Sequence, residues 1–224
     1  METTLHRQLK ALYAGPKADC EVQVDGYRID AVVSGRLIEI QQGSLSALRA
    51  KVRVLLDGGH RVLVVKPLAA NKLLIRRDPA SHCILSQRRS PQHESVWDLF
   101  LDLVHFSDVF PHPRLTLEVV LVDVDEYSHE RPSRRRSRKA YRLQDRILRR
   151  LGERYRFRTA ADLVKLLPAG LSDEFTTAEL ATALELPRWW AQKVAYCLRK
   201  MHAVETIGKR RHAWLYALPQ RRAA

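Results

Sequence analysis

The feature that most constrains the fold is a pair of apolar, β-branched runs, residues 27–33 and 37–41, separated by the dipeptide Ser34-Gly35. Apolar residues that alternate on both sides of a turn dipeptide predict a β-hairpin. In the second strand Glu39 projects to the face opposite its apolar neighbours. Asp30 lies on the first strand, and we expect its carboxylate to approach that of Glu39.

Two carboxylates that converge on one face repel each other and lose hydration, and a cation between them offsets both costs. Oxygen ligands suit a hard ion, so we expect Asp30 and Glu39 to bind Mg²⁺ or Mn²⁺. The alternative is that both carboxylates are simply solvated, as most surface carboxylates are. The neighbouring sequence favours the metal site, because an amphipathic helix (residues 44–56) and an apolar strand (residues 60–66) are predicted to follow the hairpin.

This order of elements resembles the catalytic core of the PD-(D/E)xK nuclease superfamily, which includes many restriction enzymes, Holliday-junction resolvases and competence nucleases. Members of that superfamily carry an Asp, a short gap and then Glu-x-Lys. Here Asp30 is followed by Glu39-Ile40-Gln41, so glutamine stands where most members have lysine. The layout also resembles that of an uncharacterised bacterial family, with Leu5-His6, Leu9-Lys10, Val24-Asp25-Gly26-Tyr27 and Glu39-Ile40-Gln41 at matching places.

The resemblance to the nucleases implies roles for particular residues. The implied metal ligands are Asp30, Glu39, the backbone carbonyl of Ile40 and, from the preceding strand, the carboxylate of Glu21. Gln41 would orient the attacking water, but it cannot supply the positive charge of a lysine. In some members the helix after the motif supplies that charge, and Lys51 lies in the helix predicted here. The alternative is that Lys51 is a solvated surface side chain.

Further elements are predicted within the first 130 residues. They are an opening helix capped at Thr3-Thr4, a strand that ends at Lys66-Pro67, a second hairpin around residues 76–79, a helix over residues 93–106 and a strand over residues 115–124. A mixed α/β domain follows from this alternation of strands and helices.

The formal net charge of +14 is distributed unevenly along the chain. Residues 1–130 carry 16 basic and 17 acidic side chains, whereas residues 131–224 carry 23 basic and 8 acidic ones. Such asymmetry indicates a nucleic-acid partner. There is no run of eighteen apolar residues and no signal-peptide pattern, so we expect a cytoplasmic protein without a membrane partner. The three cysteines are scattered, which indicates neither a disulfide framework nor a zinc site.

The segment after residue 130 is dominated by arginine. We expect phosphate contacts from Arg134, Arg135, Arg136 and Arg138. Basic residues continue to residue 150, where the spacing of Leu143, Ile147, Leu148 and Leu151 predicts a helix. The alternative is a solvated linker followed by a solvated helix face.

The last part of the chain carries helix signals followed by a hairpin. Thr159 is a predicted helix cap, Thr176 and Glu179 form a predicted capping box, and Pro187 begins the next helix. Three helices and a hairpin in this order resemble the winged helix-turn-helix fold. The resemblance implies a set of DNA-contacting residues, which are Arg188, Trp189, Gln192, Lys193, Lys209, Arg210 and Arg211. Winged helices also dock proteins, which is the alternative.

The sequence therefore predicts an α/β N-terminal domain with a restriction-endonuclease-like mixed sheet flanked by helices (residues 1–130), an arginine-rich linker or helix (131–152) and an α+β winged helix domain (153–224). The expected function is Mg²⁺-dependent endonucleolytic hydrolysis of DNA. Two alternatives are a DNA-binding regulator or adaptor whose nuclease fold is inactive, and an interaction protein that uses the winged helix for protein contacts. The formation of a homodimer is left open.

Overall fold

The computed structural model of the chain describes residues 2–16, 18–81, 83–130 and 141–219. Its helices are α1 (Thr4–Ala14), α2 (Arg49–Asp57), α3 (Leu99–Leu103), α4 (Ala160–Val164), α5 (Thr177–Leu184) and α6 (Arg188–Lys200). Its strands are β1 (Asp19–Val24), β2 (Tyr27–Val33), β3 (Arg36–Ile40), β4 (Arg61–Arg77), β5 (Ile84–Arg89), β6 (Leu115–Glu130), β7 (Tyr141–Phe157), β8 (Glu174–Thr176), β9 (Glu205–Arg210) and β10 (Ala213–Ala217).

Internal contacts divide the chain into two compact units. The first unit comprises Met1–Gln42, Val65–Val96 and Val119–Tyr155. The second unit comprises Gly43–Val64, Trp97–Glu118 and Arg156–Ala224.

The larger sheet has the strand order β1-β2-β3-β4-β6-β7, and β5 pairs with β4 off this path. Helices flank this mixed sheet, so the predicted α/β class is confirmed. Strand β6 lies inside the sheet, between β4 and β7. Its first six residues are buried without alternation, because an interior strand that is covered on both faces has no exposed side.

The hairpin predicted from residues 27–41 is present as β2 and β3. The two strands are antiparallel, and Ala31 pairs with Ile38. Ser34 and Gly35 form the turn with φ angles of 50° and 71°. Two successive positive φ angles are what a two-residue turn needs to match the twist of the strands that it joins.

Helix α1 packs against β2 and β3 and covers one face of the hairpin. It begins after Thr3, whose side chain accepts a hydrogen bond from the His6 backbone N–H at 3.3 Å. It ends at Gly15, which adopts a φ of 68°. Leu5 and Leu9 are buried beneath it, so the predicted opening helix is confirmed.

Two boundaries predicted in the middle of the chain are wrong. The strand expected to end at Lys66-Pro67 continues as β4 to Arg77, since a proline within a strand removes a single N–H donor from a long ladder. The helix expected over residues 93–106 is reduced to a 3₁₀ turn at Val96–Asp98 followed by α3. After α3 the chain forms tight turns whose hydrogen bonds join residue i+3 to residue i. One of them is the 3.0 Å hydrogen bond from the Phe106 N–H to the Leu103 carbonyl.

The helix predicted over residues 142–151 is also wrong, because these residues belong to strand β7. The apolar residues fit a strand equally well. Alternate residues of a strand share a face, so Leu143, Ile147 and Leu151 would all lie on the same face. Gly152 also favours a strand: a Cβ there would lie 3.1 Å from the backbone carbonyl oxygen of Leu121 on β6. A glycine lets the two strands approach closely, whereas inside a helix it would be destabilising.

The second unit contains a three-stranded sheet in the order β8-β10-β9 together with α4, α5 and α6. The predicted cap at Thr159 and the predicted capping box at Thr176 and Glu179 are both present. Helix α5 ends at Glu185, which has a left-handed φ of 52°. Helix α6 buries Val194, Cys197 and Leu198, as its helical spacing predicts.

Candidate functional site

The structure brings Asp30 and Glu39 together on neighbouring strands of the first unit. The Asp30 backbone N–H lies 3.4 Å from Glu39 Oε1, and the Ile40 N–H donates to Asp30 Oδ2 at 2.7 Å. The Glu39 residue is only 4% exposed, and the Asp30 side chain is 18% exposed. These are therefore not two solvated carboxylates on an open hairpin face.

Helix α1 places a histidine against Asp30. His6 Nε2 lies 3.0 Å from Asp30 Oδ1 and 3.6 Å from Glu2 Oε1. The hydrogen bond to Asp30 has the largest effect on the histidine and raises its pKa, although burial acts in the opposite direction. Residue spacing could not identify His6 as a partner of Asp30, because the two residues are 24 positions apart in the chain.

Glu21 lies opposite Asp30 in the register of β1 and β2, between the pairs Cys20–Ala31 and Val22–Ile29. Its own φ of 58° interrupts the strand. Its carboxylate forms ion pairs with Lys10 and Arg28. The bond from Lys10 is the main cause of its lowered pKa. Glu21 is thus beside the proposed ligands in the sheet, but its carboxylate is held by two cationic side chains.

Gln41 and Lys51, the two other predicted catalytic residues, lie in different units. Gln41 is half-buried at the end of β3, and its backbone N–H donates to the Val65 carbonyl on β4 at 2.8 Å. Lys51 is half-buried on α2, in the second unit. The first unit, in contrast, contains a lysine that sequence reasoning missed, Lys66 on β4.

Lys66 is 5% exposed, although lysine is rarely so buried in proteins. Its Nζ donates to the Gln42 carbonyl at 3.4 Å. It lines a cavity of about 60 Å³ with Leu5 of α1, and the other polar residues of the lining are Gln42, Lys72, Glu94 and Arg146. The detectable signal in the sequence is a single lysine inside the otherwise apolar run of residues 62–69. Helix α1 thus supplies both Leu5, which lines the cavity beside Lys66, and His6, which contacts Asp30.

Four arginines that follow position 140 are paired with acidic residues of β6. Arg146 Nε lies 2.9 Å from Glu126, Arg149 Nε lies 3.4 Å from Asp125, and Arg150 Nε lies 2.8 Å from Asp123. In the second unit Arg156 Nη2 lies 2.7 Å from Glu118, whose side chain is 1% exposed. Arg134, Arg135, Arg136 and Arg138 lie outside the described residues.

The second unit displays the residues predicted to contact DNA on α6 and on the β9–β10 hairpin. Arg188, Trp189 and Gln192 are exposed, and Lys193 is half-buried. Arg211 is exposed in the turn between the strands, with a φ of 56°. Arg210 is already engaged: its Nη1 donates to Glu179 Oε1 at 2.8 Å. Lys209 Nζ lies 4.6 Å from the centre of the Trp214 ring.

The described part of the chain contains neither a cluster of metal-binding side chains nor a membrane-spanning helix. Residues 2–16, 18–81, 83–130 and 141–219 contain no group of three or more His, Cys, Asp or Glu side chains placed to hold a metal ion. Within the same ranges, no helix is long and apolar enough to cross a membrane.

Comparison with known proteins places the chain in a family. The model of the family described as "Domain of unknown function (DUF8091)" matches residues 3–158, so the chain belongs to this family. It is also 29% identical over 181 residues to an uncharacterized protein of Treponema pallidum (strain Nichols), and the match covers 80% of this chain and 71% of that protein. No solved structure matches the chain.

Proposed function

We propose that this member of the DUF8091 family is a metal-dependent DNA endonuclease, with a PD-(D/E)xK-like site in the first unit and a winged helix-turn-helix in the second. One observation carries the proposal: Asp30 and Glu39 meet across β2 and β3, and both are largely buried. Helix α2 and strand β4 follow the hairpin, which is the order in the nucleases that the sequence resembles.

The donor set fits a hard divalent cation. Mg²⁺ keeps several water molecules and is commonly bound by only one or two carboxylates, so two carboxylates suffice. Asp30, Glu39 and the carbonyl of Ile40 would hold the ion, which when bound polarises the scissile phosphate and lowers the pKa of the attacking water. Magnesium or manganese is the proposed cofactor.

The side chains around the pair have separable roles. His6 and the Ile40 N–H each bond one oxygen of Asp30, and these bonds fix the carboxylate in a single orientation. Gln41 would orient the attacking water. The positive charge that a lysine at position 41 would supply would come from Lys66 or from Lys51. We favour Lys66, because it is buried and belongs to the same unit as the two carboxylates.

DNA binding is proposed for the second unit. Helices α4, α5 and α6 followed by the β9–β10 hairpin have the order of a winged helix-turn-helix, and β8 adds the third strand of its sheet. Arg188, Gln192 and Arg211 would contact phosphates or bases from the exposed face. Arg210 contributes less, since its guanidinium is paired with Glu179.

A second candidate function is a DNA-binding regulator whose nuclease fold is inactive. Two observations favour it. Gln41 stands where most of the nucleases have lysine, and the Asp30 carboxylate already has His6 as a partner. This candidate predicts DNA binding that does not depend on a divalent ion.

The deciding experiment compares the wild-type protein with the variants Asp30→Asn and Glu39→Gln. We expect Mn²⁺-dependent cleavage of duplex, branched or single-stranded DNA by the wild type, and no product from either variant. Mn²⁺ should also tighten DNA binding of the wild type and leave that of the variants unchanged. Asp57→Asn, an exposed carboxylate at the end of α2, is the matched control and should behave as the wild type. Equal product from wild type and Asp30→Asn, or none from either, would favour the regulator.

A further inference from the structure

Helix α6 presents a row of aromatic and cationic side chains on its outer face. Trp189, Lys193, Tyr196 and Lys200 are spaced by four, three and four residues, which places them on one side of the helix. Trp189 is 51% exposed and Tyr196 is 37% exposed. With Val104 and Gln192, the first three line an open groove of about 330 Å³.

Each exposed ring in this row has a lysine ammonium group over it. Lys193 Nζ lies 5.8 Å from the centre of the Trp189 ring, and Lys200 Nζ lies 6.0 Å from that of Tyr196. The same pairing occurs on the β9–β10 hairpin, where Lys209 lies over Trp214, which is 54% exposed. The second unit therefore repeats one arrangement three times: an exposed aromatic side chain with an ammonium group over its ring.

The Trp189 ring is rigidly supported. It stacks on Trp190, with 5.1 Å between ring centres and 26° between ring planes. Trp190 is in turn fixed by a hydrogen bond from its Nε1 to the Trp97 carbonyl at 3.1 Å. Trp189 therefore rests on a half-buried ring and remains 51% exposed, with the long, flexible Lys193 side chain over its ring.

The chemistry of the row identifies its ligand class. Bases in a duplex are stacked on one another and offer side chains only their edges, which are recognised by hydrogen-bonding groups. Unpaired bases offer their π faces, and proteins bind them by stacking aromatic side chains while cations contact the phosphates. Lysine is depleted in the buried centres of protein interfaces, which argues against a protein partner. Trp189 and Tyr196 are seven residues apart, or about 10 Å along the helix, which leaves room for two stacking positions.

We infer that the row formed by Trp189, Lys193, Tyr196 and Lys200 binds unpaired bases of single-stranded nucleic acid. The inference rests on the proposed DNA-binding role of the second unit and specifies its substrate: a strand with unpaired bases. The charge of the two lysines complements the phosphate backbone of such a strand.

The test uses the full chain in EDTA, so that no cleavage can occur. An oligo-dT strand should quench tryptophan fluorescence and bind more tightly than a duplex of the same length. Trp189→Leu should weaken binding of oligo-dT by about 5- to 100-fold, the range typical for loss of one stacking side chain. Trp189→Phe, which keeps an aromatic face, should restore most of the affinity. Leu12→Ala, an exposed apolar residue on α1, is the control and should leave affinity unchanged.

Equal affinity of the wild type and Trp189→Leu for oligo-dT would overturn the inference, as would tighter binding of the duplex that is insensitive to Trp189→Leu. The result is independent of the nuclease proposal. Quenching without metal-dependent cleavage would refute only the nuclease, and cleavage without quenching would refute only the stacking surface.

Discussion

The ion pairs between β6 and β7 allow a direct test of which arginines contact DNA. Arg149 and Arg150 belong to the basic segment that follows residue 130, but in the structure they pair with Asp125 and Asp123. The two arginine side chains are 57% and 72% exposed, whereas Asp125 and Asp123 are 15% and 21% exposed, so solvent screens each pair from the arginine side. We expect the double variant Arg149→Ala/Arg150→Ala to lose about 0.5–2 kcal/mol of unfolding free energy, from roughly 0.2–1 kcal/mol for each exposed pair.

The pH dependence of this loss follows from Asp123. Burial acts to raise its pKa, but hydrogen bonds from Asn71 and Arg150 outweigh it and lower the pKa below its usual value. A carboxyl group whose pKa is lowered in the folded state stabilises the fold above its unfolded pKa, near 3.9. That stabilisation is lost as the pH falls through the folded value. The difference between the double variant and wild type should therefore be present at pH 7 and shrink in strong acid, as measured by urea denaturation.

The salt dependence of DNA binding tests whether Arg149 and Arg150 contact phosphates instead. If both arginines neutralised phosphates, their loss would reduce the slope of log K against log salt by about 2, since each phosphate contributes about 0.9. Because they are paired with β6, we expect the slope to stay unchanged, measured by fluorescence anisotropy from low to moderate salt. Arg188→Ala/Lys193→Ala on α6 is the comparison, and its slope should fall by about 1–2. A fall of about 2 in the β7 variant, with stability unaltered, would refute the reasoning.

Two further predictions concern the face of the first unit beneath α1. Lys66→Met should lower the single-turnover cleavage rate by roughly 10²- to 10³-fold, the usual effect of losing one group that stabilises developing charge, and Lys51→Met should leave the rate unchanged. A larger loss in Lys51→Met than in Lys66→Met would instead assign the stabilisation of charge to Lys51. The pKa of His6 is raised in the folded protein, so its ion pair with Asp30 stabilises the metal-free fold. This stabilisation is complete below the pKa of histidine in the unfolded chain, about 6.5, and is lost as the pH rises through the pKa of His6 in the folded protein. His6→Ala should therefore lose more unfolding free energy at pH 6 than at pH 8 in denaturant titrations, and an equal loss at both would contradict this.

Local sequence signals predicted the elements that local chemistry determines. The turn at Ser34-Gly35, the cap at Thr3 and the box at Thr176 and Glu179 each involve residues within a few positions of one another, so the sequence contains the whole interaction. The carboxylate pair was predictable for the same reason, since Asp30 and Glu39 belong to one hairpin.

Strand β7 was not predictable in this way, because its partners are remote. The spacing of Leu143 and Ile147 suits both a helix and a strand, and the choice depends on pairing with β6, about 20 residues earlier for Arg146 and Glu126. The pairing of β7 with β6 also changes how the net charge of the basic segment is interpreted. Counted along the chain, these arginines belong to a strongly basic segment, yet in the fold they neutralise carboxylates of the near-neutral part.

The proposed metal site shows the same dependence on remote residues. The hairpin brings two carboxylates together, and the fold then adds His6 from α1 and places the buried Lys66 of β4 in the same unit. A divalent ion held by Asp30 and Glu39 would attract the negatively charged phosphates of DNA, and a bound phosphate would in turn attract the ion. Metal and DNA should therefore bind cooperatively at the proposed site, so that Mn²⁺ lowers the Kd for DNA of the wild type and leaves that of Glu39→Gln unchanged.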